Sequence, residues 1–184
     1  MKRKWIQLAI LSLSLGIASA GWADVISWSG GVGNWDVGSN WGGGNEPGAA
    51  DTARINQNGA IVTVDSAGNQ ITSLEVALNG GSIRSSVLID SGGAVTISGA
   101  GNNLWIAQQG NASPTGSLTV SGTLNYNGQV QMSTFQNAGT SPSSSLNIDG
   151  GTVFIDSNLQ MTAGGHQPTP RQRSRSAMGA PSAG

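Results

Sequence analysis

The body of the chain is written in short alternations. Apolar and polar residues trade places for a few positions, and each run stops at a cluster of Asp, Ser and Gly. Val62-Thr63-Val64-Asp65-Ser66-Ala67-Gly68 is the first clear case. It returns as Val87-Leu88-Ile89-Asp90-Ser91-Gly92-Gly93, as Leu118-Thr119-Val120-Ser121-Gly122, and as Leu146-Asn147-Ile148-Asp149-Gly150-Gly151. The turn positions 65, 90, 121 and 149 lie 25, 31 and 28 residues apart. A period of two within each run predicts strands, and self-similarity at this longer spacing predicts a repeat architecture.

The match continues past the turns. Val95-Thr96-Ile97, Leu124-Asn125-Tyr126 and Val153-Phe154-Ile155 form a second set of strands. Leu104-Trp105-Ile106, Val130-Gln131-Met132 and Leu159-Gln160-Met161 form a third. Looser segments lead back to the first strand, as in Asn111-Ala112-Ser113-Pro114-Thr115-Gly116 and Asn137-Ala138-Gly139-Thr140-Ser141-Pro142. Most of the variation in spacing falls there, as it does in surface loops. Three strands per repeat predict an all-β fold, a right-handed parallel β-helix of three-strand coils over residues 57–165. Each strand then pairs with its counterpart one coil away, about 4.8 Å along the axis. Leu118, Val120, Leu146 and Ile148 are expected inside, with Thr119 and Asn147 outside. Tyr126 and Phe154 are expected to be core or packing residues. Trp105, between Leu104 and Ile106, is expected outside or in a loop. Glycine suits corners that need positive φ, and Asp or Ser bonds back to turn amides. An antiparallel β-sandwich competes, but its hairpins do not require strands to match at a period near 28 residues.

Residues 24–56 break the pattern. They hold Trp28, Trp35 and Trp41 among glycines and asparagines. A solenoid end exposes core and strand edges and needs an atypical cap, which large aromatics beside small residues provide. The same three tryptophans are the candidate carbohydrate-binding residues, because exposed indole faces stack on sugar rings.

The first 23 residues read as an address. Lys2-Arg3-Lys4 is followed by the apolar stretch Ile6 to Ile17, then by Ala18-Ser19-Ala20 and Gly21-Trp22-Ala23. This is the layout of a cleaved bacterial signal peptide, cut after Ala20 or Ala23. The apolar stretch is short of the ~20 residues that span a bilayer. The expectation is therefore an exported chain, secreted or at the cell surface, with no transmembrane span after cleavage.

Charge narrows the partners. Between Asp24 and Gly165 nine acidic residues face only Arg54 and Arg84, a net charge of −7. That excludes the cationic track which nucleic-acid phosphates demand. Cysteine is absent, which removes disulfides and thiolate metal sites. After Gly165 the alternation ends. Residues 166–184 carry Arg171, Arg173 and Arg175 and read either as a disordered tail or as a cut or shifted frame. The last coil, around Met161, has no evident cap, so its edge is a candidate for pairing with a second copy.

Three tryptophans, Pro47, Asp51-Thr52-Ala53-Arg54-Ile55-Asn56, Val62-Thr63-Val64-Asp65 and Ile71-Thr72-Ser73-Leu74 together resemble the start of bacterial glycine-rich β-helix surface proteins. These are proteins with autotransporter-associated or PEP-CTERM-type repeats. Gly116-Ser117-Leu118-Thr119-Val120-Ser121-Gly122-Thr123-Leu124 is similar to their repeat unit. The resemblance covers residues 25–163. It implies a secreted or surface-displayed β-helix, often adhesive or part of an extracellular matrix. The chain departs from the family in showing no membrane-sorting tail or autotransporter barrel.

No catalytic constellation emerges. His166 is the sole histidine and lies in the tail, so the body cannot assemble a Ser-His-Asp triad or a histidine-based zinc site. Asp65, Asp90 and Asp149 recur at one corner. They could form a calcium-binding or acid/base row, but each precedes glycine in a turn, and Ser121 replaces the aspartate in one repeat. The expected function is a structural or adhesin-like surface protein without catalytic activity, metal or cofactor. A carbohydrate-binding module and a polysaccharide lyase or hydrolase are the alternatives. An extracellular polysaccharide or surface matrix is the expected partner.

Overall fold

The computed structural model describes residues 23–78, 82–99, 103–108, 113–133, 142–156 and 159–161. Apart from Ala23, the expected signal segment lies outside them, as do the tail at 166–184 and residues 111–112 and 137–141 of the two return loops.

Strands β1 (Val25–Ser27), β2 (Val32–Asn34) and β3 (Thr52–Ile55) come first. Four three-strand coils follow. The first holds β4 (Ala60–Val64), β5 (Asn69–Ile71) and β6 (Ser73–Val76), and the second β7 (Arg84–Ile89), β8 (Ala94–Ile97) and β9 (Leu104–Ile106). The third holds β10 (Thr115–Val120), β11 (Thr123–Tyr126) and β12 (Val130–Met132), and the fourth β13 (Ser143–Ile148), β14 (Thr152–Ile155) and β15 (Leu159–Met161).

No coil pairs with itself. Strands pair with the coils before and after to make three sheets, in the orders β1-β3-β6-β9-β12-β15, β13-β10-β7-β4-β2 and β14-β11-β8-β5. The strand pairs are parallel throughout, so the chain is a β-solenoid and not a sandwich. Val64 aligns with Ile89, Ile89 with Val120, and Val120 with Ile148. That register is the spacing of 25, 31 and 28 residues read from the turns. Residues 24–56 are less separate than the sequence suggests: β1 and β3 extend one sheet, and β2 extends another.

The alternation decides what the solenoid encloses. Val62, Val64, Val87, Ile89, Leu118 and Val120 stack inside the five-stranded sheet and are buried. Leu74, Leu104 and Val130 stack inside the six-stranded sheet, and Val95 and Leu124 inside the four-stranded one. Burying one such aliphatic side chain contributes about 1.5–3 kcal/mol, and each coil repeats the set. In the fourth coil the same positions are less covered. Leu146, Val153 and Ile155 are partly buried against the core, and Ile148 is 54% exposed instead of interior. The cause is position: among the described residues β13 and β14 are the outermost strands of their sheets, with a neighbouring coil on one side only.

The corners use glycine for two reasons. Gly68 and Gly150 take φ of 94° and 74°, which L side chains rarely adopt. Gly122 answers a different demand. A Cβ there would lie 2.2 Å from the carbonyl oxygens of Asp90 and Gly93, in the coil beneath. A second column sits at the end of the six-stranded sheet. Ala77, Ala107 and Ser133 follow β6, β9 and β12 with φ of 55°, 53° and 50°. Their amides donate to Ile55, Val76 and Ile106 carbonyls at 2.9, 2.9 and 3.0 Å. The left-handed residue is thus held by the coil below it, although none of the three is glycine.

Candidate functional site

The three predicted tryptophans come together, but as a plug. Trp28 is hydrogen-bonded through its backbone amide to Arg54, and Trp35 to Thr63, each at 2.8 Å. A short 3-10 turn at Gly38–Asn40 then brings Trp41 back to an isolated antiparallel bridge with Trp28. The Trp28 and Trp41 rings meet edge to face at 5.0 Å and 89°, and Trp35 and Trp41 at 4.7 Å and 72°. Trp41 Nε1 donates to the Trp35 carbonyl at 2.7 Å, and Trp28 Nε1 to that of Gly31 at 3.2 Å. Residual exposure is 4%, 0% and 2% for Trp28, Trp35 and Trp41. Rings packed this way present no open face to a sugar, so the expected platform is absent at these residues. They close the N-terminal end of the core.

The aspartate corner is a column of aligned turn positions. Asp65, Asp90, Ser121 and Asp149 each follow the aligned last residue of β4, β7, β10 and β13. Asp90 Oδ1 accepts from the Ser91 amide at 2.7 Å, and its carbonyl accepts from Gly93 at 2.8 Å. Asp65 Oδ2 accepts from Asn34 Nδ2 at 2.8 Å, tying the cap to the first coil. Among the described residues no three His, Cys, Asp or Glu side chains gather as a metal site would need. Elsewhere, Arg54 pairs with Glu75 across β3 and β6, with Trp105 next in the same outward row. Trp105 therefore faces outward, as the alternation predicts.

A concave surface of mixed chemistry lies on the four-stranded sheet, where no candidate residue was expected. Outward positions stack there as Gln70, Thr96, Asn125 and Phe154. At the following corner Ser98, Asn127 and Asp156 stack in turn, their amides donating to Ile71, Ile97 and Tyr126 in the preceding coil. Without Gln70, these two rows line a shallow groove of about 370 Å3. Phe154 is 61% exposed, not a core residue. Its register explains why: it aligns with outward Asn125, while Val153 and Ile155 align with buried Leu124 and Tyr126. The signal was in the sequence, since the alternation that turns Trp105 outward applies equally to Phe154.

Tyr126 forms the floor of this groove. Its hydroxyl donates to the Gln129 carbonyl at 2.8 Å and accepts from the Asn103 amide at 2.7 Å. Burial pushes its pKa up, against hydrogen bonds with the backbone of Asn103 and Leu104, which favour the ionised form. A second groove, of about 250 Å3, lies on the five-stranded sheet between Ile61, Arg84, Ser86 and Ser117.

No protein-family model, curated protein or solved structure matches this chain.

Proposed function

We propose that this chain is an exported, non-catalytic β-solenoid of the bacterial surface or extracellular matrix, related to the glycine-rich β-helix repeat proteins it resembles. One observation carries the reading. The outward faces of the coils repeat uncharged hydrogen-bonding groups in register: Ser86, Ser117 and Ser145 in one row, and Thr96 and Asn125 in another. Groups repeated at one-coil spacing offer many weak, equivalent contacts along a rod. Multivalent adhesion and matrix packing use contacts of that kind. The basic start, apolar stretch and small residues up to Ala23 support export. Of the aspartates that an acid/base row would need, Asp90 bonds to its own turn and Asp65 to Asn34 of the cap, and Ser121 stands in the third coil, which favours a structural role over a lyase. Self-association through the outermost strands of the fourth coil belongs to the same reading.

Expression of the tagged full chain in a bacterial host tests it. The expected result is a processed protein in the surface or extracellular fraction, its new N-terminus at Gly21 or Asp24. Unprocessed chain confined to the cytoplasm would overturn the proposal. Release of cleavage products from polysaccharides would overturn its non-catalytic part.

A further inference from the structure

We infer that the groove on the four-stranded sheet is a binding site for an uncharged sugar residue of a neutral polysaccharide, with Phe154 as its stacking platform. This does not depend on export or on the adhesive reading.

The argument begins with Phe154. A solvent-facing phenyl ring costs hydration free energy, and at 61% exposure most of that cost stands. Around it the lining is polar: Thr96 and Asn125 lie in its own row, and Ser98, Asn127 and Asp156 at the adjoining corner. A pyranose has an apolar face of C–H groups and a rim of hydroxyls that both donate and accept. An aromatic face bordered by amides, hydroxyls and one carboxylate complements both parts. The volume of about 370 Å3 lies within the range of small-ligand sites, roughly 300–1,000 Å3.

Charge selects among sugars. The groove lining contains Asp156 and no basic residue, and the body around it is acidic. An acidic sugar would bring its carboxylate against Asp156 with nothing to neutralise it. The second groove holds Arg84 but has no aromatic platform, so it lacks the feature that makes the first specific. Because Thr96, Asn125 and Phe154 succeed one another along the solenoid axis, a polymer chain can lie along the row with one residue on the ring.

Affinity electrophoresis of the purified chain tests this in gels containing a neutral polysaccharide (β-glucan, xyloglucan, galactomannan or glycogen) or acidic polygalacturonate. Retardation is expected with at least one neutral polymer and not with polygalacturonate. Phe154→Ala should weaken that binding by about five- to tenfold, the loss of one aromatic contact, while Phe154→Trp retains it. Asn125→Ala should weaken it, and Val32→Ala, an exposed position at the far end, should leave it unchanged. Circular dichroism checks that the variants are folded. If Phe154→Ala is not, Phe154→Trp and Asn125→Ala decide the matter. Failure of every neutral polymer to retard the chain would overturn the inference. So would binding to polygalacturonate alone, or full binding by folded Phe154→Ala and Asn125→Ala.

Discussion

Tyr126 is the one tyrosine in the chain and the one described residue whose ionisation the fold clearly moves. Its folded pKa is raised by burial, so the folded state holds the phenolic proton where the unfolded state has lost it. Below about pH 10 both states are protonated and the contribution to stability is complete; it is lost as pH rises through the raised folded value. Phenolate absorbance should therefore rise with a midpoint above 10 in the folded chain and near 10 in urea, with Tyr126→Phe as the blank. Equal midpoints would contradict the burial seen here. Tyr126→Phe also removes the hydroxyl's hydrogen bonds to the Gln129 carbonyl and the Asn103 amide and should cost about 1–3 kcal/mol in denaturant unfolding. At this scale the sequence is legible by alternation alone. It places Tyr126 inside and Trp105 outside, and it places Phe154 outside once β11 and β14 are aligned. It misplaces Phe154 only when residue type is weighed above register. It misleads on Trp28, Trp35 and Trp41 for another reason: whether indoles stack on each other or face solvent depends on a chain reversal at Gly38–Asn40 that no periodicity marks.

Each strand here is short, and its stability comes from the coils on either side. The corners show how closely those coils approach. Gly122 has a φ open to any residue, yet a methyl group there would overlap two carbonyl oxygens of the coil beneath. Gly122→Ala should cost about 1–3 kcal/mol by forcing adjacent coils apart. Gly31→Ala, where nothing lies within 4 Å of the added carbon, should be near neutral. Equal midpoints for the two variants in urea would show that the coils yield at that corner. The strands and turns were legible because their signal is local: alternation, then Asp, Ser and Gly. The left-handed column of Ala77, Ala107 and Ser133 was not legible. Its backbone is imposed by hydrogen bonds from the preceding coil, and alanine carries no mark of that constraint. Close approach at Gly122 is hidden for the same reason, since a glycine reads alike whether it is needed for φ or for space.

At the scale of the whole molecule the two ends differ, and the difference bears on assembly. The N-terminal end is closed by β1, β2 and the interlocked indoles. Trp41→Ala removes the ring shared by both aromatic contacts and should cost about 3–5 kcal/mol. Trp35→Phe should cost under about 1.5 kcal/mol, because the Trp35 Nε1 it deletes is buried without a partner. Thermal unfolding that ranks these two the other way would mean that the plug does not hold the end of the core. At the opposite end β13 and β14 are the outermost strands of their sheets, and Ile148, an interior position by register, is 54% exposed. Among the described residues no strand lies beyond these edges, and parallel edges of this kind over partly covered apolar residues form a template for another strand. Two copies meeting there about a two-fold axis would satisfy both edges at once, whereas stacking head to tail would meet the closed end. The proposed self-association therefore predicts a closed dimer instead of a growing fibre. Sedimentation over a wide range of concentration should show monomer and dimer alone. Ile148→Lys should abolish the dimer, and Val32→Lys, on the outer face of the closed end, should leave it intact. Monomer at every concentration would refute the pairing, and a ladder of larger species would show that the tryptophan plug does not block stacking.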